Sequence, residues 1–367
     1  MFAIVRSFLL ALAQLLVLDA LFIGLCLLAI IVPLGMYKRA GYAVMKRNFI
    51  GYFSNPTGYV FLCVFVLLAS FSAFWPNEFF NANLANLDQL NRFFPLVMLV
   101  FIPAITMSIW AEERRQGTDE LLLTLPAGDF DIVMGKFLAA ASIYTCSLIF
   151  AQLSTYIVLI SLTYGELDIG LLCSTYLGYW LIGLAMLAIG MVASFLTSNL
   201  TVGFILGALF NAPLVFAMWA DSRQLSDWSL ASQFGDLGRG VISLSSVTYF
   251  VMVAVAGVYL SIVLIGRRHW AGGRDGHSLG GHYLVRILAV VVFAASLNIL
   301  FSNRLLVRGD VTENKTSSLS PSTKQLLNTL KPEHTIHIDA FVGAQIPQEY
   351  VKTRFELISM LKEFESR

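Results

Sequence analysis

Eight apolar stretches divide the chain: Phe8–Pro33, Tyr59–Phe74, Phe93–Trp110, Phe137–Thr163, Leu171–Leu196, Val202–Trp219, Val247–Ile265 and Ile287–Phe301. Most approach or exceed the roughly 20 residues that an α-helix needs to cross a bilayer. None contains Lys or Arg, and Asp19 in the first is their one acid. The pattern predicts an all-α polytopic membrane protein of about seven to eight transmembrane helices, followed by a small α/β segment. Its parts are 1–36, an N-terminal hydrophobic segment; 37–57, an interfacial amphipathic helix; 58–266, a six-helix membrane domain; 267–286, a Gly-rich loop; 287–302, a further span; and 303–367, the polar end.

The polar positions orient these spans. Loops on one side carry eleven basic residues: Lys38, Arg39, Lys46, Arg47, Arg114, Arg115, Lys136, Arg267, Arg268, Arg274 and Arg286. The alternate loops carry three, Arg92, Arg223 and Arg239. The basic side is expected to be cytoplasmic, which puts the segment after Phe301 outside. The first run is too long and poorly flanked for a cleaved signal peptide. It reads as an additional span or as an upstream extension of the reading frame. Asp19 is expected to sit in a helix–helix contact rather than to act as an intramembrane acid.

Two cytoplasmic segments are more organised than linkers. In 37–57, Tyr42, Met45, Phe49 and Phe53 recur at helical spacing between basic residues, and Asn55-Pro56 ends the segment. In 112–126, EERRQGTDELLLTLP, Thr118 is placed to cap a short helix with Asp119 and Glu120 in its first turn. Leu121, Leu122, Leu123 and Leu125 make that helix apolar, and Pro126 stops it. A short helix across the mouths of two spans is a lever through which a soluble partner moves both.

Composition agrees with the pattern. Hydrophobic residues make up 57% and charged residues 13%, with a mean hydropathy of +0.74 and a net charge of +1. Bulk charge therefore implies no nucleic-acid partner. Cys26, Cys63, Cys146 and Cys173 all lie in apolar runs without C-x-x-C spacing and read as buried hydrophobes.

The stretch AEERRQGTDELLLTLP followed by DIVMGKFLAA resembles the loop between the second and third helices of ABC-2-type permeases, those of the gliding-motility-type ABC transporters above all. The matching residues are Glu112, Glu113, Gly117, Thr118, Glu120, Leu121, Leu122, Leu123, Thr124, Pro126, Gly135 and Lys136, with Asp119 inside the same segment. NFIGYFSNPTGYVFL is similar to that family's entry into its first helix, so the resemblance spans about Lys46 to Ile265. It implies a bacterial cytoplasmic-membrane permease whose 112–126 helix couples to a separate ABC ATPase subunit. It also implies pairing with a second permease half as a homodimer or heterodimer. ATP and magnesium would be bound by the partner ATPase, with no cofactor in this chain. Gliding itself does not follow from the resemblance.

Past the last span, Arg308, Asp310, Thr312, Ser318, Leu319, Ser320 and Thr323 resemble the start of the auxiliary subunit of the same transporters. Ser320-Pro321 predicts a helix start. Thr335–Val342 alternates as a strand, and Tyr350–Phe364 is an amphipathic helix. One strand and two helices do not close a core, so the remaining auxiliary-subunit sequence is expected to continue this chain or come from another.

No catalytic constellation or metal site is expected. Gly276–Gly280, GHSLG, matches a nucleophile elbow but lacks the strand-to-helix setting. His269, His277 and His282 have no common ligand spacing. Gly135-Lys136 is no phosphate loop, because Phe137 follows the lysine. The alternative to a transporter is a membrane anchor that displays its outer segment. An ion-driven carrier needs several buried ionisable groups, where the spans offer only Asp19. If proteolysis released a stable, folded 303–367 fragment, the expectation that this segment needs more chain would fail.

Overall fold

The computed structural model describes residues 2–75, 87–119, 122, 127–162, 167–219, 226–266, 274–303 and 308–313, and the positions 315, 318, 322, 323, 325, 338–341, 357, 360 and 361. Among these, eight helices are long and apolar enough to cross a bilayer. The first span joins α1 (Phe2–Cys26) through a π-helical turn, Leu27–Ile31, to α2 (Val32–Tyr37). Pro33 lies at the start of α2, where its missing N–H suits a widened turn. The basic amphipathic segment is α3 (Arg39–Ser54). Asn55 ends it and caps α4 (Pro56–Ala73), its side chain accepting from Thr57 N at 3.1 Å. The other spans are α5 (Asp88–Gln116), α6 (Asp129–Leu162), α7 (Ile169–Phe195), α8 (Leu200–Phe216), α10 (Leu244–Gly266) and α11 (Arg274–Asn303). The short α9 (Leu230–Phe234) and β1 (Val241–Ser243) precede α10, and β2 (Arg308–Asp310) follows α11.

Lipid tails are as apolar as leucine, so these helices associate by close packing and hydrogen bonds rather than by escaping water. The centre is α7, the most buried span, which packs against α5, α6, α8 and α10. Its Tyr179 stacks between Phe94 of α5, at 3.7 Å, and Phe234 of α9, at 5.3 Å. Tyr179 donates its hydroxyl to Asn91 Oδ1 at 2.5 Å, and its carbonyl accepts from Tyr144 at 2.6 Å. These bonds satisfy polar groups that would be costly to leave unpaired in hydrocarbon.

The first span lies on the outside of this core. It is held where Gln152 Nε2 donates to Asp19 Oδ1 at 3.1 Å and Phe22 meets Trp180 edge to face at 5.2 Å. Asp19 is thus in a helix–helix contact. By contrast, α3 is firmly seated: its backbone crosses α6 where Gly41 faces Gly135. The apolar face of α3 therefore packs on protein through Val44 and Met45.

Two readings need correction. The Gly-rich segment is not a loop through 286, because α11 begins at Arg274. Helical bonds propagate back from the apolar span at little cost per residue, and glycine only weakens them. GHSLG accordingly lies on a helix, as do Arg274 and Asp275 just before it. Residues 338–341, expected within a strand, have no regular structure and are exposed, and among the described residues no strand lies beside them. The rest of that strand, and the helix starts at Ser320 and Tyr350, lie outside the described residues. The one sheet described pairs β1 with β2, antiparallel, in the register Val241↔Asp310, Ile242↔Gly309 and Ser243↔Arg308.

A Cβ at Gly135 would lie 2.5 Å from Gly41 O. We expect Gly135→Val to push α3 off α6 and destabilise the protein by about 1–3 kcal/mol, the usual cost of overpacking. Thermal unfolding in mild detergent measures it; an unchanged midpoint would contradict this packing.

Candidate functional site

The end of the bundle that holds the α5–α6 connection is built around a buried lysine. Helix α5 stops at Gly117, which takes the left-handed conformation at φ 68°. Gly117 N donates to Arg114 O at 3.2 Å and Thr118 N to Glu113 O at 2.9 Å, the two bonds of a Schellman ending. Arg114 and Arg115 in the last turn suit the negative end of the helix dipole, whereas Glu113 in the same turn opposes it. Helix α6 starts with Asp129 and Asp131 at its positive end, and about two turns from its start presents Lys136.

The Lys136 side chain is fully enclosed. Its Nζ lies 2.5 Å from Glu113 Oε2, 2.6 Å from Ile109 O and 4.2 Å from the centroid of the Trp110 ring. The other oxygen of Glu113 accepts from Arg47 of α3. A single carboxylate therefore joins α3, α5 and α6. A second cation–carboxylate contact, Lys38 Nζ to Asp131 Oδ1 at 3.3 Å, ties the start of α3 to that of α6.

Arg114 extends the junction to α7. Its guanidinium lies 4.2 Å from the centroid of the Phe195 ring, donates to Phe195 O and stands 3.8 Å from Asp119 Oδ2. The Ser194 hydroxyl accepts from Trp110 N at 3.1 Å and Ala111 N at 3.3 Å. The connection itself is anchored at two points. Asp119 is buried beside Arg114, and Leu122 is 3% exposed within the core. Leu122 N donates to Thr118 O at 3.1 Å, which is helical spacing. The Thr118 hydroxyl turns back to Glu113 O at 3.4 Å.

The coupling segment 112–126, expected to hold a short helix capped by Thr118, divides at Gly117. Glu112 and Glu113 belong to the last turn of α5, and helical positions resume at Asp119 after the Gly117 turn. Glu113, Asp119, Leu122, Gly135 and Lys136 all reach the junction. Glu112 points elsewhere, to Arg115 at 2.8 Å and Gln116 at 2.6 Å. Glu120, Leu121, Leu123, Thr124 and Pro126 lie outside the described residues. Sequence reading missed Arg47, Trp110, Arg114 and Phe195 as site residues. Arg47 and Arg114 counted only as topology charges. An acid in the last turn of a helix, where the dipole opposes it, was a usable signal that a cation must lie opposite it.

Residues 27–219, more than half of the 367-residue chain, match the model of the ABC-2 family transporter protein family. Residues 313–367 match a Domain of unknown function (DUF7088). No curated protein matches the chain.

Removing one partner of a buried ion pair strands the other charge. We expect Glu113→Ala to cost about 3–5 kcal/mol in unfolding free energy. Glu112→Ala, which breaks only contacts to exposed groups, should stay within about 0.5 kcal/mol of the parent. Equal losses in the two variants would contradict the assigned geometry.

Proposed function

Because the chain belongs to the ABC-2 family of transporter membrane proteins, we propose that it is one permease half of a bacterial transporter of the gliding-motility type. A separate ABC ATPase subunit drives it, and a second permease half completes the pathway. The junction end faces the cytoplasm, in keeping with the eleven basic residues on that side. The 118–125 turn is the surface on which the ATPase acts. ATP and magnesium sit in that partner; the chain itself contains no G-x-x-x-x-G-K-[ST] run. The output is export or mechanical work across the cytoplasmic membrane, and the segment after α11 lies outside.

One observation carries this reading: the turn is wired to four helices. Force on Asp119 passes through Arg114 to α5 and α7. Displacement of α5 then passes through Glu113 to Lys136 of α6 and Arg47 of α3. A connector that only joined two spans would need none of these ties. Charge pairs that bridge packed helices couple their positions, whereas a solvated loop absorbs displacement.

Affinity purification of the full-length chain in mild detergent should recover a P-loop ATPase in stoichiometric amount. Leu122→Asp and Glu120→Lys should lower permease-stimulated ATP hydrolysis while leaving membrane insertion intact. Full stimulation in both variants would sink the lever. Recovery of envelope proteins alone would favour a displayed anchor.

A further inference from the structure

We propose that Arg308–Glu313 is a latch that seats the chain's own C-terminal region on the far end of the bundle, so that this region moves with α7 and α10. The region matched as DUF7088 begins at Glu313, and that residue is already tied down: its N–H donates to Asp168 Oδ2 at 3.2 Å. The other oxygen of Asp168 caps α7, accepting from Leu171 N at 2.9 Å. One carboxylate thus holds the first turn of α7 and the first residue of the region together.

Two further anchors lie within the same six residues. β2 completes β1, and Val311 N donates to Gly240 O at 3.0 Å just beyond the pairing. A three-residue strand does not persist unpaired, so β1 and β2 form as one unit by strand addition. The Asp236 carboxylate receives Arg308 Nη2 at 2.6 Å on one oxygen and Arg239 Nη2 at 2.6 Å on the other. Thr312 is buried against Gly240, whose φ of 86° and lack of a side chain make the room; a Cβ there would overlap Thr312 Cγ2. The Asp310 carboxylate accepts from Thr312 N at 3.0 Å and Thr312 Oγ1 at 2.6 Å, which turns the chain toward Asp168.

These anchors rest on different elements. Asp168 starts α7, Asp236 follows α9, and Gly240 leads through β1 into α10. The three anchors hold Arg308–Glu313, the start of the region, in a single position on the bundle. Any change in the spacing of α7 and α10 at this end therefore reaches the region directly.

The test uses the full-length chain in lipid nanodiscs, with Cys26, Cys63, Cys146 and Cys173 replaced by Ala and spin labels at Leu162 and Phe341, both exposed. Pulsed dipolar spectroscopy should give one narrow distance. Arg308→Gln, outside the spans, removes the ion pair, and Gly240→Val fills the space of Thr312. Loss of the narrow distance in either variant, with unchanged elution, supports the latch. A narrow distance that persists in both variants, or a broad distribution in the parent, overturns it.

Discussion

A lysine enclosed at the mouth of a helix bundle must be neutralised where it sits. Water cannot solvate the Lys136 ammonium, so its charge has to be met by Glu113, by the Ile109 carbonyl and by the Trp110 ring. Glu113 in turn is unfavourable at the negative end of α5 unless cations face it. Each group makes the other tolerable, and neither helix can shift alone without exposing an uncompensated charge. This constraint holds α5 and α6 together at this end. With Arg47 completing the second oxygen of Glu113, it also holds α3 in place.

The two ends of the bundle use the same device for different purposes. At the junction end one carboxylate, Glu113, receives two cations from two neighbouring helices. At the far end Asp236 receives two guanidinium groups, one of them from β2. Between them the core contains aromatic stacks and hydrogen-bonded tyrosines around Tyr179. Phe195, whose carbonyl accepts from Arg114, and Asp168, which accepts from Leu171 N and Glu313 N, stand at opposite ends of α7. Helix α7 packs against α5, α6, α8 and α10 between the two.

The spans were legible because a bilayer demands long apolar helices, and each of the eight runs coincides with one. The amphipathic segment 37–57 was legible by its period, yet its partner was not. Periodicity says that Met45 needs cover; only the Gly41–Gly135 crossing, beside which Val44 is also buried, says that α6 provides it. At the site, Glu113 and Lys136 were marked by resemblance, while Arg47 and Arg114 stayed hidden, because their partners, the Glu113 carboxylate and the Phe195 carbonyl, lie 66 and 81 residues away in sequence. β2 was illegible for the same reason: three residues, RGD, carry no strand signal until β1 lies beside them. The start of α11 was misread because glycine's weak propensity was given more weight than the span that follows it.

The central claim is that Glu113 and Lys136 act as one unit in carrying motion from the turn into the helices. A double-mutant cycle of Glu113→Gln and Lys136→Met, read on permease-stimulated ATP hydrolysis by the complex, tests it most directly. Each single variant should lose most of the stimulation. The double variant should recover part of it, because no buried charge is then left alone. Strictly additive losses would show that the two residues act separately, and the junction would not be the transmission element described.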